Sequence, residues 1–125
     1  MADIVVAIDG VVGSGKSTTA RLVAEALGYR HLDTGAMYRT VALAAVRQGI
    51  EPEDGRALAD LLPTLHIDLL TSDQGASVML NGEDVSEEIR RPETARCVGS
   101  FADRPIVRRA LVNRQQTLGA RGGVV

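Results

Sequence analysis

Aromatic rings are nearly missing from this sequence: its 125 residues include two Tyr, one Phe and no Trp. A surface that grips single strands by stacking bases on rings has almost nothing to work with. A net charge of −2 removes the overall basic footprint that a nucleic-acid binder carries. Cysteine is equally scarce. Cys97 stands alone, which excludes an internal disulfide, and no cluster of Cys or His suggests a metal cage. Long apolar runs are also lacking, since the longest, Val41 to Val46, falls far short of the roughly 20 residues a membrane span needs. The amino terminus carries Asp3 and no basic region, so no signal peptide is expected and the cytoplasm is the default location. Lysine is the most telling scarcity: Lys16 is the single lysine among 14 Lys+Arg. A chain so biased toward arginine keeps lysine where a compact, swivelling point charge is wanted and a flat guanidinium would not fit.

That lysine lies in the most informative stretch of the chain. Gly10, Val11, Val12, Gly13, Ser14, Gly15, Lys16, Ser17 and Thr18 fit the phosphate-loop pattern GxxxxGK[ST] at every fixed position. Glycines let the backbone wrap an anion with its N–H groups turned inward, and the following helix offers the positive end of its dipole to the same oxygens. Lys16 supplies an ammonium for the β- and γ-phosphates of a nucleotide such as ATP, and the Ser17 hydroxyl is placed to ligate Mg²⁺. The context agrees. Asp3 to Ile8 is a short β-branched run suited to a buried strand, and Ala20, Val23, Ala24 and Leu27 recur at helical spacing after the loop. Asp9, at the strand end, is expected to accept loop N–H groups rather than to join the metal shell.

The pattern continues as βαβα, the start of a parallel sheet. Gly28 reads as a helix C-cap, Tyr29 to Leu32 as a second strand, and Thr34 as the N-cap of a helix whose stripe is Met37, Val41, Ala44 and Ala45. A helix then begins at Pro52 and is stopped by Pro63. Leu65 to Leu70 and Ser77 to Leu80 read as strands, and Asn81-Gly82 as a two-residue hairpin leading to Glu83 to Val85, so a small antiparallel insert is expected. Pro92 to Phe101 and Pro105 to Leu118 read as helices opened by proline. Gly122 to Val125 reads as the start of another buried strand. Two strands and part of a third would leave backbone groups unpaired, so the chain is expected to be the amino-terminal portion of something longer, its parallel sheet incomplete.

Charge is uneven. From Arg90 onward eight Arg face only Glu93 and Asp103, a local +6, while residues 1–89 sum to −8. A basic tail of this kind suits phosphates, although any single Arg there is as well read as part of a solvated helix face. His31 and His66 have no partners at catalytic spacing and are read as structural.

The second constellation is Asp33, Thr34, Gly35, Tyr38 and Arg39, at a strand-to-helix junction. In an open α/β sheet ligands bind beyond the carboxyl ends of the strands, so these residues and the phosphate loop face one crevice. Arg39 lies about one helical turn past Thr34 and Gly35 and can point at the same ligand. Alone, the stretch is equally well read as a capped helix with a packed tyrosine and a solvated arginine.

Taken in order, Gly10 to Thr18, Leu32 to Arg39, Asn81 to Arg90 and Arg104 to Arg108 closely resemble bacterial cytidylate kinases over nearly the whole chain. The resemblance implies a P-loop kinase fold with a parallel core and an antiparallel insert in the monophosphate-binding region. It implies transfer of the ATP γ-phosphate to CMP or dCMP with Mg²⁺, by a monomer. It divides the chain into a P-loop core over 1–32, a monophosphate region over 33–103 with the insert near 64–85, and a return helix and strand start over 104–125. It also implies roles in acceptor binding for Asp33, Thr34, Gly35, Tyr38, Arg39 and Arg108, and catalytic roles for Lys16 and Arg39; Ser100 is added as a candidate for acceptor binding. A Gly-Arg-Asp segment, an arginine-rich lid and the adenine contacts would follow beyond Val125. The chain departs from the family at Val11 and Val12, where proline and a small residue are usual; at Thr34, where serine is usual; and at Gly99, where a serine of the cytosine pocket falls. Ser100 stands next to that position. Three rivals remain: another small-molecule P-loop kinase such as one similar to shikimate kinase, a GTPase-like switch, and a non-catalytic phosphate-binding fragment. The switch would need an Asn-Lys-x-Asp motif, for which Lys16 leaves no lysine within this chain.

Overall fold

The computed structural model describes residues 5–8, 15–28, 33–72, 75–120 and 122. Five helices are seen among them: α1 (Lys16–Leu27), α2 (Thr34–Arg47), α3 (Gly55–Leu61), α4 (Pro92–Ala102) and α5 (Pro105–Gly119). Between α3 and α4 lie three strands, β1 (Ile67–Ser72), β2 (Gly75–Leu80) and β3 (Glu83–Asp84), with 3₁₀ turns at Leu62–Thr64 and Glu88–Arg90.

The strands form one antiparallel sheet in the order β1-β2-β3, with Ile67 opposite Leu80 and Leu80 opposite Glu83. The turn between β2 and β3 follows from its residues: Asn81 and Gly82 both take positive φ, 50° and 85°, as a tight primed turn requires. Asn81 tightens it further, because its side-chain oxygen accepts from the His66 backbone N–H at 2.6 Å while its own N–H donates to the His66 carbonyl at 2.8 Å. The predicted insert is therefore present, with β1 and β2 running two residues beyond the predicted strand limits at their shared end.

The α/β character stands, and the sheet found among the described residues is the antiparallel insert. The expected first strand falls partly on the described residues, where Val5 makes an isolated bridge and 6–8 take no regular form. The expected second strand, Tyr29 to Leu32, lies outside the described residues, and so do residues 123–125 of the expected last strand.

Two helix starts differ from the sequence expectation. Asp33, not Thr34, caps α2: its Oδ1 accepts from the Ala36 N–H at 3.1 Å, and Thr34 is the first helical residue. Both are good caps, but a carboxylate also favours the positive end of the helix dipole. The third helix begins at Gly55 rather than Pro52, because the Asp54 carboxylate caps it through the Ala57 N–H at 3.1 Å. Pro63 does not simply end that helix; it sits within the 3₁₀ turn that extends it. The prolines that open α4 and α5 occupy the predicted places, where a missing N–H costs nothing.

α2 is the hub. It buries Ala36, Met37, Thr40, Val41, Ala42, Ala44 and Ala45, a face of small residues that lets α4, α5 and the Glu88–Arg90 turn approach closely. Thr40 is accommodated because its hydroxyl donates to the Ala36 carbonyl at 2.7 Å. Around this face gather Leu58, Leu61 and Leu62, Val78, Leu80 and Val85 of the insert, Ile89, Phe101, Val107 and Leu111, all buried. α1 carries a separate small cluster, Ala20 and Ala24 with Val6, Ile8 and Val23. No helix among the described residues is long and apolar enough to cross a membrane.

Candidate active site

Of the phosphate loop, Gly10 to Ser14 lie outside the described residues, and Asp9 with them. What is described is the loop's exit. Gly15 has φ 86°, a left-handed conformation that glycine adopts without steric cost, and it serves as the N-cap of α1. The Gly15 carbonyl accepts the first helical bond, from the Thr19 N–H at 2.9 Å. Lys16 is therefore the first residue of α1 and half-buried; Ser17 follows it in the helix, and Thr18 is exposed. No group of three His, Cys, Asp or Glu that could hold a metal ion is found among the described residues.

The second constellation is better defined. Asp33, Gly35 and Arg39 meet at the start of α2. The Asp33 carboxylate divides its oxygens, with Oδ1 on the Ala36 N–H and Oδ2 3.6 Å from Arg39 Nη2. Gly35 matters for space rather than conformation: a Cβ there would stand 3.1 Å from Arg39 Nη1 and 3.3 Å from Asp33 Oδ1. The guanidinium lies back over the glycine, one turn up the helix, as the four-residue spacing predicts. Its Nε is buried and has no hydrogen-bond partner among the described residues. Tyr38 is half-buried against the core, consistent with a packing role, whereas Thr34 is exposed.

Ser100 and Arg108 are exposed, on α4 and in the first turn of α5, and both helices pack on α2. Gly99 is exposed as well, and nothing lies within 4 Å of where its Cβ would stand. A cavity of about 200 Å³ between α2 and α4, lined in part by Leu43, Val46, Thr94 and Cys97, includes none of the residues singled out from sequence as site residues.

Some relationships were not visible in the sequence. Arg104, at the N-cap of α5, has a buried Nε with no partner among the described residues. Arg114 donates from Nη2 to the Leu62 carbonyl at 2.6 Å, and burial pushes its pKa down. Arg47, in the last turn of α2, grips Glu83 and Glu88 at once. An arginine-rich tail, and for Arg104 its place in the Arg104–Arg108 stretch, were the only signals for the first two, and neither says which arginine turns inward.

Residues 6–125 match the sequence model of one family, cytidylate kinase. Among curated relatives, the chain is similar to the cytidylate kinase of Chloroflexus aggregans, 49% identical over 124 residues, which covers 96% of this chain and 54% of that protein. It is similar to those of Geobacter sp. strain M21 and Symbiobacterium thermophilum, each 46% identical, across 98% of this chain and 52% and 55% of the relative. The chain thus spans about half the length of the curated relatives it matches. The glycine-capped start of α1 and the Asp33–Arg39 junction occupy two of the four family stretches read from the sequence, and the match runs through all four: the chain belongs to the cytidylate kinase family.

Proposed function

We propose that the full-length protein transfers the γ-phosphate of ATP to CMP or dCMP, giving ADP and CDP or dCDP. The observation that carries this reading is the family match over residues 6–125, which includes both the loop ending at Gly15-Lys16 and the Asp33–Arg39 junction. In this reading the expected parallel sheet carries both motifs at its carboxyl edge, the core spans 1–32, the monophosphate region spans 33–103, and 104–125 return to the core.

The chemistry asks little of a base. A phosphate monoester has its second pKa near 6 and is mostly dianionic at neutral pH, so its oxygen attacks without prior loss of a proton. Catalysis then consists of aligning two anions and neutralising charge on the group in flight. Lys16 and the loop N–H groups hold the donor phosphates. Ser17 would be this chain's ligand to a Mg²⁺ ion, which would supply further charge neutralisation. Arg39 and Arg108 hold the acceptor phosphate; Thr34, Gly35 and Tyr38 shape its site, and Ser100 is the nearest hydroxyl in sequence to the base-reading position left empty by Gly99. Guanidiniums on the acceptor side offset the repulsion between the two substrates as water is expelled.

The reading places the protein in the cytoplasm, acting as a monomer on free nucleotides rather than on nucleic acid or at a membrane. It is tested by coupled ADP release with CMP, dCMP, UMP, AMP and shikimate, run on this chain and on a full-length version. Turnover with cytidine monophosphates by the full-length version supports it. Preference for shikimate, or no turnover with any acceptor, replaces it with one of its rivals.

A further inference from the structure

We propose that Asp33 is the resident counter-ion of Arg39, holding the guanidinium over Gly35 and making the acceptor site resist small anions that a nucleotide monophosphate can outcompete. The inference rests on the kinase reading for the identity of the arriving phosphate, but the ion pair itself is independent of it.

Three observations meet at this point. One Asp33 oxygen accepts from the Ala36 N–H at 3.1 Å and the other lies 3.6 Å from Arg39 Nη2, so each oxygen faces one of the chain's own groups. Gly35 leaves room for the guanidinium where it lies: a Cβ there would stand 3.1 Å from Nη1 and would push it aside by a few tenths of an ångström. Arg39 and Asp33 keep 30% and 46% of their side chains exposed, so solvent anions reach the pair.

The charges explain the consequence. A guanidinium beside a helix N-terminus attracts any phosphate or sulfate, because the cation and the helix dipole act in the same sense. A carboxylate in place cancels much of that attraction and adds repulsion of its own. At 3.6 Å, longer than a good charge-assisted hydrogen bond, the pair is loose enough to be exchanged for a ligand that makes two such bonds to Arg39. Inorganic phosphate has only that contact to offer. A nucleotide brings its sugar and base as well, and their binding energy offsets the loss of the Asp33 contact. Asp33 is in this sense a positioning and selectivity residue, acting through Arg39.

The test uses inorganic phosphate as the probe, titrated calorimetrically into the full-length protein and its Asp33→Asn, Asp33→Ser, Arg39→Met and D33N/R39M variants. Asn and Ser are neutral and still cap a helix, so α2 keeps its start, which circular dichroism checks; should one variant fail to fold, the other is read. Phosphate held by the donor loop is common to all variants and cancels in the comparison. The neutral-cap variants are expected to bind phosphate about 1.5- to 5-fold more tightly, the range an exposed ion pair is worth, and the gain is expected to vanish in D33N/R39M. A role confined to capping α2 gives no gain in affinity. Unchanged or weaker binding in both neutral-cap variants, or a gain that survives loss of Arg39, overturns the inference. CMP phosphorylation measured on the same wild-type sample separates the two claims: turnover without the Arg39-dependent gain rejects the counter-ion and keeps the kinase reading, and the gain without turnover does the reverse.

Discussion

Arg47 Nη1 and Nη2 meet Glu83 Oε1 and Oε2 at 3.0 and 2.9 Å, a two-pronged contact that fastens the last turn of α2 to the hairpin insert. Nη2 also reaches Glu88 Oε2 at 2.6 Å, so one guanidinium ties α2 to both β3 and the turn that leads into α4. Single exposed ion pairs contribute little, but a bidentate arginine shared by two carboxylates belongs to the exceptions. The hydrogen bonds from Arg47 hold the Glu83 carboxyl below its ordinary value of 4.5, and they raise the pKa of Arg47 itself.

The sign of the pH effect follows. A carboxylate with a lowered folded-state pKa contributes stability above its unfolded value and loses it as pH falls through the folded one. The raised arginine stays charged throughout this range. Asp84 adds to the same limb, since the Ser86 hydroxyl and N–H hold its carboxyl below the ordinary 3.8. Stability is expected to decline from pH 4.5 downward, and Arg47→Met is expected to lower the urea midpoint at neutral pH and flatten this acid limb. Urea titrations of both proteins between neutral and acidic pH check this; an unchanged limb in the variant rejects the clamp.

Arg114 is expected to matter more for folding than for chemistry. Its Nη2 satisfies the Leu62 carbonyl, where the turn after α3 would otherwise leave an acceptor half-served, and α3 and α5 are held side by side. Replacing it with Met keeps the apolar stem and removes the bond. The expected loss is about 1–2 kcal/mol, reduced from the full value of a charged hydrogen bond because the group is only partly buried. Equilibrium unfolding measures it.

Gly99 offers a gain. The exposed position within α4 has free space around a would-be Cβ, so Gly99→Ser places a hydroxyl there without a clash. Serine is the better helix former by about 0.5 kcal/mol, so a modest rise in thermal midpoint is expected. If the family's base-reading hydroxyl belongs here, the ratio of kcat/KM for CMP over UMP rises too. A midpoint that rises with an unchanged ratio assigns the position to helix stability alone.

Lys16→Ala is expected to abolish phosphoryl transfer in the full-length protein while leaving the fold intact by circular dichroism. The residue is half-buried in the first turn of α1, and Ala is a good helix former in that place. Near-normal turnover by the folded variant removes Lys16 from the donor site.

Much of this was readable from the chain because it was local. Asn81-Gly82 dictates its turn through two positive φ values, Pro92 and Pro105 mark helix starts through a missing N–H, and the apolar spacing of Met37, Val41, Ala44 and Ala45 gives the buried face of α2. The misreadings were local as well. Asp33 and Thr34 are adjacent cap formers, and only the direction of the Asp33 side chain decides between them; Asp54 offered a stronger start for α3 than Pro52. What sequence could not give was contact at a distance. Arg47 and Glu83 are 36 residues apart, Arg114 and Leu62 are 52 apart, and no periodicity relates either pair. The Asp33–Arg39 ion pair lies between these cases. Its spacing was legible, but the use of Gly35 as the space for a guanidinium needed coordinates.

The most direct test of the central claim is the rate of ADP release by the full-length protein with ATP, Mg²⁺ and each acceptor in turn, compared with its Arg39→Met variant. Rapid release with CMP and dCMP, little with UMP, AMP or shikimate, and a large loss in the variant is the predicted result. Equal rates for all acceptors, or full activity without Arg39, would contradict it.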